Sequence, residues 1–143
     1  MKTFVFLFFT LIQSSTLQVV EEFHKLDGEK EELAFIKLYS SSSDPDIKAY
    51  VVAIKMKQLE YMYNPIKQMS LFSDYKTELQ DLANKHSSNV HVRYVRLLIQ
   101  EETPSFLGYK DDIAADKAFL KKMISAKDDT DYLDKYIYKT TSL

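Results

Sequence analysis

The chain has 143 residues, of which 45% are hydrophobic and 28% charged, with a net charge of −2 at pH 7. This length allows one domain with a single modest core, and the composition excludes a disordered chain. Because cysteine is absent and basic and acidic residues are interleaved, disulfides and cysteine catalysis are excluded, and no basic surface for nucleic acid is expected.

The N-terminal residues have the pattern of a secretory signal peptide. One lysine precedes an apolar run over residues 4–12, and small and polar residues follow it. A run of about nine residues is too short to cross a bilayer, which needs about 20, so a permanent membrane span is the less favoured interpretation. We predict that residues 1–17 are a signal peptide removed between Ser14 and Leu17. Residues 18–143 then form a single helical domain that is periplasmic or secreted.

Helical periodicity dominates the rest of the chain. Only two glycines and three prolines interrupt it, which favours long helices joined by short connections. Asp44-Pro45 and Asn64-Pro65 each place a capping residue before a proline at the first helical position. Apolar residues recur every three or four positions in several segments, and these predict helices at residues 19–26, 30–39, 45–62, 65–85, 90–102, 113–125 and 131–139.

The predicted fold class is all-α, with antiparallel helical hairpins stacked as a TPR-like bundle of about six helices. Segments 45–62 and 65–85 are joined almost without a loop and resemble a tetratricopeptide-type unit, in which Tyr75 fits the repeat pattern. The apolar stripes also predict which side chains face the core. On the helices at 30–39 and 65–85 these are Leu33, Ile36, Tyr39, Ile66, Met69, Phe72, Tyr75, Leu79 and Leu82.

Residues 93–112, RYVRLLIQEETPSFLGYKDD, combine arginines with an apolar helix. Arg93, Arg96 and Gln100 fall at i, i+3 and i+7 and so share one face. The other faces are almost entirely apolar, which is typical of a helix at the centre of a bundle. A buried guanidinium needs an acceptor, because an unpaired buried charge costs several kcal/mol. The nearest candidates in sequence are Asp111, Asp112 and Asp116.

Two interpretations of this corner stay open. In the structural one, which we favour, Pro104 ends the helix, Phe106 and Leu107 return to the core, Gly108 permits the turn and Arg–Asp pairs hold the angle. In the functional one, the corner binds a carboxylate or phosphate through bidentate hydrogen bonds. The residues that would form such a binding site are Arg93, Arg96, Gln100, Tyr109 and Asp116.

The segment RYVRLLIQEETPSFLGYKDDIAADKAF resembles a stretch typical of a small family of uncharacterised, signal-peptide-bearing, all-helical bacterial proteins. In that family R-[FY]-x-R-x-x-x-Q leads into P-x-[FL]-L-x-Y and then D-K-x-F. The resemblance extends over residues 49–120 and includes Asn64-Pro65. The family has no assigned activity. The resemblance therefore implies export, a helical fold and this corner as a signature, but no reaction.

No catalytic or metal-binding pattern is found in the sequence. The chain has three histidines, and none belongs to an HExxH-type motif. His86 and His91 flank a helix cap and are predicted to be solvated. No serine lies in G-x-S-x-G, and Gly28 and Gly108 are isolated, so no phosphate-binding loop is expected. We predict neither a metal nor a cofactor.

The aromatic residues are assigned mainly to the core, although aromatic side chains on a helical scaffold can also line a peptide groove. The preferred functional hypothesis is a non-catalytic cell-envelope protein that binds a peptide or protein through a helical surface. The alternative is a small enzyme or carrier that holds an acidic solute at Arg93 and Arg96. A purely structural role is a third possibility, which cannot be separated from the first without a partner.

Overall fold

The computed structural model describes residues 15–143, and within this range the chain is helical without a strand. The all-α prediction is confirmed. None of the described helices is both long and apolar enough to cross a membrane. The α-helices are α1 (Thr16–Phe23), α2 (Glu29–Tyr39), α3 (Pro45–Gln58), α4 (Pro65–Lys85), α5 (Val90–Glu102), α6 (Ile113–Ser125) and α7 (Asp134–Thr140), and 3-10 turns lie at Leu59–Tyr61, Ser105–Leu107 and Asp131–Leu133.

The starts of three helices are set by capping side chains. Asp44, Asn64 and Asn89 each accept hydrogen bonds from backbone N–H groups in the first turn of the following helix, at 2.9 to 3.1 Å. Such bonds satisfy donors that have no partner inside the helix. The predicted starts of α3, α4 and α5 are therefore confirmed.

The two inner helices are α3 and α5. Ten of the 13 residues of α5 are buried, and this helix packs against α3, α4 and α6. Helix α3 in turn packs against α1, α2, α4 and α5, and its buried residues surround most of its circumference. The apolar stripes of both helices are wide enough for contact on several sides. The central position predicted for α5 is confirmed.

Some apolar residues of the outer helices are exposed, although the periodicity predicted them to face inward. Leu33 is exposed because α2 buries Glu32, Phe35 and Tyr39 instead. Apolar residues occur on most sides of this helix, so the spacing alone did not identify the inner face.

Ile66 and Met69 in the first turns of α4 are also exposed. Helix α4 has 21 residues, whereas α3 has 14 and α5 has 13. At a rise of about 1.5 Å per residue, α4 is roughly 10 Å longer than either neighbour. The apolar stripe is left partly uncovered at the N-terminal end of α4, where Ile66 is 83% and Met69 49% exposed.

The residue that caps the C-terminal end of α1, His24, contacts the last described helix, α7, both directly and through α5. The His24 ring stacks on Tyr136 of α7 at a centroid distance of 4.2 Å. The Tyr94 hydroxyl of α5 lies 3.1 Å from His24 Nε2 and 2.8 Å from Thr140 Oγ1 of α7. The predicted signal peptide lies mostly outside the described residues, and of residues 1–17 only Ser15, Thr16 and Leu17 are described.

Candidate functional site

The connection between α5 and α6 forms a tight corner. Pro104 follows α5, a 3-10 turn covers Ser105–Leu107, and Gly108 has a φ of 66°. This left-handed conformation is costly for residues that carry a Cβ atom, so Gly108 has the role that the sequence predicted. The chain then turns back into α6, which packs along α5.

Asp116 joins the two arginines of α5 at this corner. Its side chain is fully buried. Arg96 donates two hydrogen bonds to it, Nε to Oδ2 and Nη2 to Oδ1, both at 2.7 Å. Arg93 donates a third bond from Nε to Oδ1. Such bidentate, charge-assisted bonds are among the strongest in proteins, and one carboxylate thus fixes the position of two guanidinium groups.

The remaining arginine donors also face acceptors within the protein. Arg93 donates from Nη1 to the Ser87 carbonyl at 2.7 Å and from Nη2 to the Ala115 carbonyl at 3.1 Å. Its guanidinium lies over the Phe119 ring, 4.5 Å from the centroid. Arg96 Nη1 lies 3.4 Å from Asp112 Oδ1. Both guanidinium groups are therefore paired with acceptors of the protein itself.

Gln100 and Tyr109 complete the same cluster. Gln100 is fully buried; its Nε2 donates to Asp112 Oδ2 at 2.8 Å and its Oε1 accepts from the Asp112 backbone N–H at 3.1 Å. Burial raises the pKa of Tyr109 to about 12, although nearby Arg96 and Gln100 lower it. Asp111 is exposed. The five predicted site residues therefore form one cluster. In it, Asp116 accepts hydrogen bonds from both arginines, and Asp112 accepts one from Gln100 and lies close to Arg96.

One prediction about this corner is wrong. Phe106 was expected to return to the core, but it is 86% exposed. The buried position is taken by Tyr109, whose ring lies 6.5 Å from that of Phe72. The 3-10 turn before Gly108 carries Phe106 outward. Leu107 is half-buried.

An apolar groove lies where α3 and α5 end and α4 begins. Its volume is about 480 Å³, which falls within the range of about 300–1,000 Å³ that is usual for ligand sites. None of the five predicted site residues lines it. We define the apolar groove by the side chains of Met56, Leu59, Met69, Phe72, Ile99 and Phe106, which all line it.

Two carboxylates, Glu60 and Glu102, also line the apolar groove. Burial raises the pKa of Glu102; Lys57 opposes this effect, and Glu60 and Glu101 add to it. Among the described residues neither Glu60 nor Glu102 has an ion-pair partner. Lys57 lies at the groove too, but its Nζ is 3.0 Å from Oε1 of the fully buried Glu32. The groove therefore combines an apolar floor with a negatively charged edge.

A second cavity, of about 550 Å³, lies beside His91. His91 is 3% exposed, so the prediction that it is solvated is wrong. The Tyr50 hydroxyl lies 2.8 Å from Nδ1, the Tyr132 hydroxyl 3.0 Å from Nε2, and Asp46 Oδ2 3.7 Å from Nε2. Burial lowers the His91 pKa, and Asp46 and other carboxylates oppose this.

A signal for the burial of His91 was present in the sequence. His91 shares a helix face with Val95 and Leu98, at i+4 and i+7, and both of these residues are buried. Among the described residues no group of three or more histidine, cysteine, aspartate or glutamate side chains is arranged to hold a metal ion.

The chain matches no protein-family model, no curated protein and no solved structure. The resemblance to a small bacterial family and the TPR-like arrangement therefore stay predictions.

Proposed function

We propose that this protein is a non-catalytic module of the cell envelope that binds a peptide or a protein partner through the apolar groove. The observation that carries the proposal is the exposed apolar surface around the groove. Phe106 is 86% exposed and Met69 is 49% exposed, and both line the groove. Ile66, which precedes Met69 by three residues on α4, is 83% exposed. Contiguous exposed apolar side chains rimmed by polar ones are typical of binding sites.

The arrangement of the corner favours this proposal over an enzyme or carrier for an acidic solute. A carboxylate or phosphate bound by Arg93 and Arg96 would have to displace Asp116, which is fully buried and hydrogen-bonded to both. That exchange would leave the Asp116 carboxylate buried without its partners, which is strongly unfavourable. The corner instead supports the groove, because it holds the turn that carries Phe106.

A selection from a library of displayed peptides tests the proposal. The wild-type protein is compared with Met69→Ser/Phe106→Ser, whose changed side chains line the groove and are exposed, so that the core stays intact. Leu33→Ser/Leu38→Ser is the matched control, because it removes two exposed apolar side chains from α2. Peptides selected on wild type should bind the control equally and the groove variant at least about tenfold more weakly. Equal binding to all three forms would refute the groove as the binding surface.

A further inference from the structure

The apolar groove has a shape and a charge that define one class of partner. We propose that its occupant is an amphipathic helix of a partner protein, with apolar side chains on one face and lysine or arginine beside them, facing Glu60 and Glu102. This inference rests on the proposed function and adds the chemistry of the partner.

The uncovered stripe of α4 favours a helical partner. Ile66, Met69 and Phe72 follow one another at intervals of three residues, and Ile66 and Met69 are exposed. Such a row of side chains forms a ridge that packs into the groove of another helix. The described residues contain no strand edge to which an extended peptide could add. A helix laid along α4 is therefore the arrangement that covers this surface.

The charge of the groove favours a cationic partner. Glu60 and Glu102 line it without an ion-pair partner in the described part of the chain. Helices α3 and α5 both end here, and the C-terminal end of a helix carries a partial negative charge. Lys57, the cation at the groove, already pairs with buried Glu32. A lysine or arginine of the partner would satisfy the two free carboxylates.

Binding of designed model peptides, measured by fluorescence anisotropy on the purified protein, tests this inference. The main probe is an amphipathic leucine–lysine helix of about 18 residues, or five turns. A second peptide has glutamate in place of each lysine. A third has the same composition in an order that destroys the apolar face. The leucine–lysine helix should bind, and the other two should bind at least about tenfold more weakly.

The protein variants separate charge from apolar contact. Glu60→Gln/Glu102→Gln should weaken binding of the leucine–lysine helix by about tenfold. Glu29→Gln/Asp81→Asn is the control, because it removes the same charge from exposed positions that do not line the groove. The control should change the affinity by less than about twofold. Met69→Ser/Phe106→Ser should abolish binding.

The outcomes distinguish this inference from the proposed function. Failure of the leucine–lysine helix to bind would overturn the inference, and so would binding that is unchanged in Glu60→Gln/Glu102→Gln. If the displayed library still yields peptides that need Met69 and Phe106, the proposed function stands with a different partner. Dimerisation of the free protein through the groove, detected by sedimentation and lost in Met69→Ser/Phe106→Ser, would also overturn the inference.

Discussion

Replacing Asp116 with asparagine should strongly destabilise the fold. The substitution keeps the shape of the side chain, but it removes the only carboxylate that both Arg93 and Arg96 contact among the described residues. Breaking a buried ion pair costs about 3–5 kcal/mol. In the variant, Arg96 still has the Asp112 carboxylate 3.4 Å away. We therefore expect a loss of stability at the lower end of that range. For a domain of about 130 residues, about 3 kcal/mol corresponds to a fall in Tm of roughly 11 °C.

Thermal unfolding followed by circular dichroism measures this change, and urea unfolding gives the free energy directly. Asp111→Asn is the matched control, because Asp111 is exposed and lies in the turn just before α6. Its effect should stay within about 0.5 kcal/mol. If Asp116→Asn melted within about 2 °C of wild type, the corner would not stabilise the fold, and the interpretation of Arg93 and Arg96 as binding residues would be favoured.

Two further predictions concern pH and the corner turn. Burial and nearby Lys139 lower the His24 pKa to about 4, whereas the pKa of histidine in an unfolded chain is about 6.5. The unfolded chain therefore binds the proton first, and the stability that neutral His24 contributes above about pH 6.5 is lost as the pH falls towards about 4. His24→Phe should reduce the difference in Tm between pH 7 and pH 5, which covers roughly the upper part of that window. An unchanged difference would contradict this account. Gly108→Ala should lower the free energy of unfolding, measured in urea, by about 1–2 kcal/mol. The cost comes from the φ of 66° alone, because an added Cβ meets nothing within 4 Å. Gly108→Asn should cost less, and an alanine variant as stable as wild type would refute the argument.

Helix positions were predictable because local signals determine them. Asp44, Asn64 and Asn89 cap α3, α4 and α5 at the positions that the sequence indicated. The proximity of the five corner residues was also predictable from the sequence, because Arg93, Arg96 and Gln100 share one helix face. The carboxylates that pair with this face, Asp112 and Asp116, lie at the N-cap and in the first turn of the next helix, α6.

The groove was not predictable from the same signals. Ile66 and Met69 belong to a regular apolar stripe, yet both are exposed at the end of α4 that lies beside the ends of α3 and α5. Tyr109 is buried and Phe106 is exposed, because the chain passes through a 3-10 turn and Gly108 between them. Burial that depends on the lengths of neighbouring helices, or on the path of a loop, is a tertiary property and leaves no periodic pattern in one segment.

Backbone amide chemical shifts during a titration with the leucine–lysine helix test the central claim most directly. We predict that the shift changes concentrate at the ends of α3 and α5, in the first turns of α4 and at Phe106. The amides of Arg93, Arg96 and Asp116 should change little. Changes centred on those three residues, with the groove unaffected, would contradict the account and make the corner the binding site.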